Sequence, residues 1–499
     1  MEPVPVGGQW LKEKFNLVNY TLTHSSYIGD NADLTVTSKG NIDQTFGRKY
    51  AVRQGDDPLD HVEFYLKYDD LNLDFLKAVL THVPASDIAT FINNSPASKY
   101  ARKIGFYYEF LTDNKLVLDR PLSGNYIELL DIDKYITGQS EPVTRWRVHN
   151  NLLGTRSYCP VVRKTRELEE LLSKDLSAQI SKLKADYPEE IFRRATNYLY
   201  TKETKSSYEI EKEKPSADRT QKFVALLQRA GSESNEDMLA RQRLVVLQNA
   251  IVDPRFANVG FRDSQIYVGR SIGSGLQEFH YICPPPQITN SLMEGLRAMV
   301  IKTAGTAPEI RASIIAFGFV FIHPFDDGNG RIHRFLIHDV LAHDKKVPSG
   351  IIIPVSAHML NNMLEYDSIL EKYSKPLMQR IKFNASEMGQ VEITNPDAVE
   401  GYYRYPELTN HCIYLVRTIH ETIQEDMPKE LMFVQRYDEA KKALQQIVDM
   451  PDRMIDNMLT FLNQNKGKLA KRRRNDFSKL TDEEIAAMEK AYRQVYEIE

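Results

Sequence analysis

Between residues 323 and 334 the chain reads His323-Pro-Phe-Asp-Asp-Gly-Asn-Gly-Arg-Ile-His-Arg334. A base, a hard acid, two guanidinium groups and a glycine-rich turn thus fall within twelve residues. Gly328, Asn329 and Gly330 can turn backbone N–H groups inward, because glycine tolerates positive φ. They lie where a helix should begin, and there free N–H groups and the helix dipole favour an anion. Arg331 and Arg334 are three apart, on nearly one face of the first turn, and offer forked donors to phosphate oxygens. Asp327 is a hard oxygen ligand suited to Mg²⁺ held between phosphates. His323 stands across the loop, where a neutral imidazole could take a proton from an attacking hydroxyl. Each feature alone is ordinary; their convergence points to chemistry on a phosphate. The chain has no Walker-type Gly-x-x-x-x-Gly-Lys and no full Gly-x-Gly-x-x-Gly, so any such chemistry rests on this loop.

The loop needs two elements to hold it. Upstream, Ile310 to Ile322 is strongly apolar; downstream, Ile332, Phe335, Leu336 and Val340 form one face of a helix. A buried helix–loop–helix with a polar tip is expected, anchored by Phe325. Thr306 and Glu309 predict a capping box for the first helix. Before it, Leu292, Met293, Leu296 and Val300 mark another helix. Earlier still, Val268 to Tyr281 has β-type residues at both ends and Gly273 and Gly275 in the middle, the pattern of a hairpin closed off by Pro284-Pro-Pro286.

The string from His323 to Arg334 resembles the signature of the Fic family, His-Pro-Phe-x-(Asp/Glu)-Gly-Asn-Gly-Arg-x-x-Arg, and every fixed position is present. The resemblance extends from about residue 160 to 390. It implies a small all-helical core with a β-hairpin flap, and transfer of a nucleotide monophosphate, usually AMP from ATP, to a Ser, Thr or Tyr hydroxyl of a protein. It also implies a role for each matching residue. His323 would be the general base, and Asp327 would bind Mg²⁺. Gly328, Asn329 and Gly330 would hold the α- and β-phosphates. Arg331 would contact the β-phosphate and Arg334 the γ-phosphate. The hairpin from about 268 to 281 would be the flap that clamps a target protein by strand addition, with Val268, Gly269 and Arg270 bordering the nucleotide. Tyr366 resembles the tyrosine that packs on adenine. UTP, GTP or another donor stays open beside ATP, because base choice lies in pocket shape.

Many relatives also carry an inhibitory helix, (Ser/Thr)-x-x-x-Glu-(Gly/Asn). Ser207 and Glu211 match that spacing, while the last position is Lys212. The resemblance implies that Glu211 pairs with Arg334 and competes for the donors that the γ-phosphate needs. Relatives can use this glutamate to remove AMP as well. They also often dimerise, and self-modification and a homodimer are expectations here.

The rest of the 499-residue chain divides into a mixed α/β region over 1–155, a catalytic core with the inhibitory segment over 156–392, and a helical region over 393–499. The whole is read as mainly α. Val18, Tyr20 and Leu22, and then Leu34 and Val36, alternate with polar neighbours and predict half-buried strands. Leu73–Leu80 and Ile88–Ile92 read as a short helix–turn–helix. Leu168 to Leu183 recurs at helical spacing, and Glu203–Thr220, rich in charge, reads as a loop or an exposed short helix.

A net charge of −4 gives no electrostatic reason to expect nucleic acid or a membrane as the main partner. Three scattered cysteines and no signal-like N-terminus fit a cytoplasmic protein. Two alternatives stand beside the transferase. The helix–turn–helix and the basic run Lys471–Arg474 would suit a nucleic-acid-binding regulator built on the same core. His338-Asp339 and His343-Asp344 resemble the pairs of metal-dependent phosphohydrolases, although positions five apart on a helix point to different faces.

Overall fold

The N-terminal 130 or so residues are mixed because short β-branched stretches alternate with amphipathic helical ones. The structure, a computed structural model, describes residues 3–37, 41–53, 55–272, 277–348, 350–386 and 389–498. A four-stranded sheet has the order Val4–Val6, His24–Gly29, Ile42–Gly47, Asp33–Val36. Its middle pair is parallel, with His24 opposite Ile42, and the outer pairs are antiparallel. Helices Pro58–Tyr68, Leu73–His82, Ala85–Asn94 and Lys99–Thr112 follow. A small sheet then places Val148–Asn150 between Ile127–Glu128 and Glu141–Val143.

Two expectations for this region need correction. Val18, Tyr20 and Leu22 form no strand. The chain turns there through Asn16, at φ 52°, and Leu22 is buried within the loop while Val18 is exposed. A strand does form at Leu34 and Val36, but both are exposed because it is the outer edge of the sheet.

From residue 166 to the end the chain is almost wholly helical. The Leu168–Leu183 pattern is two helices, Arg166–Leu172 and Leu176–Ala185. The break falls at Asp175, whose carboxylate caps the N–H groups of Ser177 and Ala178. A long helix, Glu189–Ile210, comes next, and its last two turns, buried on one side, stand where a loop or an exposed short helix was expected from Glu203. Its inner face is polar but buried: Glu203, Thr204, Ser206, Ser207 and Tyr208 all face the core. Helices Ala217–Gln228 and Arg241–Ile251 then lead to the hairpin Tyr267–Ser271 with Gln277–Ile282. Gly273 and Gly275, expected at its tip, lie outside the described residues.

At the centre, helices Pro308–Ile322 and Asn329–His343 pack against each other, as the loop between them requires. The first is buried around nearly its whole circumference, which fits its apolar composition. No capping box starts it. Pro308 occupies the first turn, the Thr306 hydroxyl donates to the Thr137 carbonyl, and Glu309 pairs with Lys346. Around this pair one apolar cluster runs from Ile136 to Leu431. A second cluster lies in the N-terminal region, and a third joins Met427–Ile447, Asp452–Gln464 and Asp482–Val495.

No single described helix is long and apolar enough to cross a membrane; the Leu73–His82 and Ala85–Asn94 pair, bent by 99°, passes by length and composition only. In the basic run, Arg473 lies over Phe461 beside Asp476, and Arg474 pairs with Asp482.

Candidate functional site

The helix Pro308–Ile322 ends in His323, which sits in the left-handed region at φ 53° with its N–H donated to the Phe319 carbonyl. A non-glycine residue holds that conformation only where its surroundings over-determine it. One constraint is local. The imidazole Nδ1 lies 3.0 Å from the Val320 carbonyl. A carbonyl can only accept, so Nδ1 carries the proton and Nε2 keeps its lone pair. Burial pushes the imidazole down to about 4, and the Arg262 charge adds to this; the Val320 hydrogen bond, Glu211 and Asp327 oppose it. His323 is therefore neutral at pH 7, the form a general base needs.

The loop after it is closed by its own asparagine. Asn329 Oδ1 accepts the Phe325 N–H at 3.0 Å and Nδ2 donates to the Phe325 carbonyl at 2.7 Å. Its side chain thus braces the turn with Oδ1 and one of the two N–H groups of Nδ2. Gly328, at φ 89°, caps the second helix in a conformation that other residues rarely adopt. Phe325 is fully buried with its ring edge on Phe261. Gln248 holds the Asp327 carbonyl from outside, and Asn258 holds the Asp326 carboxylate.

Both signature arginines are 1% exposed. Arg331 donates to Asp327 Oδ1 at 2.7 Å and to Glu213 Oε2 at 3.0 Å. Arg334 donates to the Ser207 hydroxyl at 2.9 Å, to the Ser207 carbonyl at 2.7 Å and to Glu211 Oε1 at 2.8 Å. Burial alone would raise the Glu211 carboxyl. Arg334 outweighs this, with help from Arg331 and His323, and the carboxyl is held below its ordinary value. The position of this carboxylate matters most. A Cβ added to Gly330 would lie 2.1 Å from Glu211 Oε1. The acidic group therefore rests directly on the first turn of the helix, where an anion is favoured.

Glu211 reaches this point from the end of the helix Glu189–Ile210. There Lys212 N–H bonds to the Glu209 carbonyl and Glu213 N–H to the Tyr208 carbonyl, with Lys212 at φ 58°. That pair of bonds is a Schellman ending, whose left-handed residue is ordinarily glycine or asparagine. The physical demand behind the last position of the inhibitory pattern is present here, met by a lysine.

The hairpin stands opposite. Its strands pair antiparallel, with a register shift between Val268 and Gly269. Val268, Gly269 and Arg270 border a cleft of about 620 Å³. The other walls of that cleft include Glu211, His323, Asp327 to Arg331, and Tyr366. Tyr366 is buried, with its hydroxyl 3.5 Å from Arg334 Nη1. Arg334 and Ser207 lie one layer behind the wall, reaching the cleft through Glu211. The predicted residues thus come together around one space.

Asp327 is the residue that could hold Mg²⁺. Its side chain is 41% exposed at the helix start, a single hard donor beside the anion position. That fits Mg²⁺, which is commonly bound through one or two carboxylates plus substrate phosphates. Among the described residues no group of three or more His, Cys, Asp or Glu side chains gathers to hold a metal. His338 is buried against Glu203 at 2.8 Å, Asp339 takes Arg243 and the Gly231 N–H, and Asp344 takes Arg311 and His343. These groups hold helices together.

Residues 238–341 match the profile of the Fic/DOC family. The chain contains a Fic/DOC domain. The match takes in the hairpin, both central helices and the loop, and excludes Glu211 and Tyr366. A probable protein adenylyltransferase of Aquifex aeolicus is 25% identical over a stretch covering 35% of this chain. The chain spans 63% of the length of that relative. Two solved structures are also similar at low identity. A Fic family protein from Desulfovibrio desulfuricans has 15% identity and a TM-score of 0.37, covering 56% of this chain and 80% of its own. A Fic domain containing signaling protein from Bacteroides thetaiotaomicron has 17% identity and a TM-score of 0.36, covering 52% of this chain and 97% of its own.

Two residues that hold the walls of this cleft escape sequence reasoning. Glu213 sits in a charge run that looks solvated. Arg262 lies in a loop without periodicity, yet its side chain is buried and bonded to the His323 carbonyl.

Proposed function

We propose that this protein transfers AMP from ATP to a Ser, Thr or Tyr hydroxyl of a protein, and that the conformation described is its braked form. One observation carries the reading. His323, the start of the helix Asn329–His343, Asp327 and the hairpin all border one cleft, and the Glu211 carboxylate of the chain itself rests on that helix start.

In the proposed reaction the hairpin aligns the target main chain and presents its hydroxyl to His323. As the hydroxyl oxygen bonds to the α-phosphorus, Nε2 takes its proton, and the bond to the pyrophosphate oxygen breaks. The backbone N–H groups of Gly328 to Gly330 and the two guanidiniums stabilise charge on the phosphates. Mg²⁺, when held by Asp327 and the phosphates, would draw charge from the phosphoryl oxygens and the leaving pyrophosphate. With Glu211 on Arg334 the γ-phosphate lacks its donor, so the productive pose is refused. The helix must release Glu211 before ATP can settle. Removal of AMP from a modified target by the same glutamate belongs to this proposal, and self-modification is the simplest assay.

The test uses ATP radiolabelled at the α-phosphate. Glu211→Gly removes a charge-assisted hydrogen bond, and labelling should rise roughly ten- to a hundredfold, the rate equivalent of about 1.5–3 kcal/mol. Adding His323→Ala to that variant should cut it by about 10² to 10⁴. Absence of label from folded Glu211→Gly, with ATP, UTP and GTP each supplied, would refute the reading.

A further inference from the structure

Arg262 is 4% exposed, and every hydrogen-bond acceptor found for its guanidinium is a backbone carbonyl. Nε donates to His323 at 2.8 Å, Nη1 to Ser264 at 2.8 Å, and Nη2 to Pro284 at 2.7 Å, with Ile322 more distant at 3.5 Å. Its backbone N–H adds a bond to the Pro324 carbonyl at 2.9 Å. These acceptors come from three places. Ser264 lies just before the first hairpin strand, Pro284 just after the second, and Ile322 to Pro324 form the turn that carries the base. Nearby, Gln265 donates to the Cys283 carbonyl at 2.7 Å, and Cys283 N–H to the Ile266 carbonyl at 3.2 Å, closing the hairpin's base.

Carbonyl oxygens do not gather of their own accord, since their partial charges repel and each needs a donor when buried. A planar guanidinium with five N–H groups satisfies several at fixed angles, which an ammonium cannot do. The left-handed turn at His323 aims its carbonyl at this cation. The arginine is thus one of the constraints that keep a strained residue in place.

We infer that Arg262 is a positioning residue that sets the register between the base His323 and the hairpin that presents the target. This rests on the transferase reading above. Both parts of the geometry refer to one guanidinium: the turn holding the imidazole and the two ends of the hairpin. Proton transfer needs the base within about 2.6–3.2 Å of the hydroxyl. A displacement of about 1 Å from a residue outside the chemistry can cost about a hundredfold.

Two measurements in the Glu211→Gly background test this, and labelling by Glu211→Gly itself decides the transferase reading beforehand. Arg262→Lys keeps the charge and loses the fork. Its turnover should fall roughly ten- to a hundredfold, while KM for ATP stays within about twofold. Arg262→Ala should recover part of the loss when guanidinium chloride is supplied at concentrations below those that unfold the protein. The second measurement is independent of activity. Nitrogen NMR of histidine-labelled protein should show His323 with a fixed Nδ1–H in the parent and mixed tautomers in Arg262→Gln. The imidazole titration should also move upward, because the Arg262 charge that helps burial press it down is gone while Asp327 still opposes burial. An unchanged tautomer and titration in Arg262→Gln would overturn the inference, whether or not AMP transfer occurs. So would full turnover in Arg262→Lys, or losses in turnover and ATP affinity that only track a lowered melting temperature.

Discussion

At the residue scale the site is governed by how much each charge is buried and what faces it. His323 should work as a base well below neutral pH, because burial keeps it neutral down to about 4. The labelling rate of Glu211→Gly should therefore stay within about twofold from pH 8 to 5, and fall as pH approaches the imidazole's own value. Stability moves differently. A histidine with a folded value below its unfolded value of about 6.5 leaves stability intact above that value, and stability is lost as pH falls through the window. His333 and His411, pushed by burial to about 3, act in the same direction. Melting temperature should therefore begin to drop below about pH 6.5 while the rate per folded molecule holds, and melts with rates at each pH separate the two. Glu213 offers a contrast with Glu211. Its side chain is a third exposed, and Arg331 keeps Asp327 when it is removed. Exposed ion pairs contribute about 0–1 kcal/mol, so Glu213→Gln should raise labelling by less than about fivefold.

At the element scale the proposed brake depends on how one helix ends. Lys212 is held at φ 58° by the Schellman bonds, at a cost of about 1 kcal/mol that glycine would not incur. Lys212→Gly should make the closed ending more stable and lower basal labelling by the wild-type brake by roughly fivefold, one kcal/mol at room temperature. A rise in labelling would show that the ending does not hold Glu211. This helix also marks where sequence reasoning succeeds and fails. The central helix pair was legible because Ile310–Ile322 is apolar nearly throughout and Ile332–Val340 repeats apolar residues at helical spacing. The chemical residues between them were legible because they are contiguous. Glu203–Thr220 was misread because its buried face is polar. Glu203 is satisfied by His338 and by the Ser356 N–H at 2.8 Å, and the Tyr208 hydroxyl by the Ile251 carbonyl at 2.6 Å. Hydrophobic periodicity does not register a core made of hydrogen bonds. Arg262 was invisible for the same reason, since its partners are carbonyls from distant segments.

At the scale of the whole molecule, the N-terminal region is fastened to the central part by a buried ion pair. Asp74, 4% exposed, accepts from Arg380, 8% exposed, at 2.6 Å. The guanidinium also lies 4.0 Å from the Tyr20 ring centre and 5.2 Å from that of Tyr402. Arg380 follows Gln379, the cap of the helix Met363–Met378, which carries Tyr366 into the cleft. Burial raises the Asp74 carboxyl above its ordinary value even against the pull of Arg380. Desolvation thus exceeds the attraction, the usual condition of buried pairs that are worth little compared with apolar replacements. The two halves of that statement predict different outcomes. Asp74→Ala leaves a buried cation without its partner and should cost about 3–5 kcal/mol. Asp74→Leu combined with Arg380→Met should recover most of that loss, giving a coupling energy of several kcal/mol in a double-mutant cycle. Hydrogen exchange reads where the cost falls. In Asp74→Ala, protection should drop in both Leu73–His82 and Met363–Met378, because the pair ties one helix to the other. Loss confined to the N-terminal helix would mean that the cleft is supported without it.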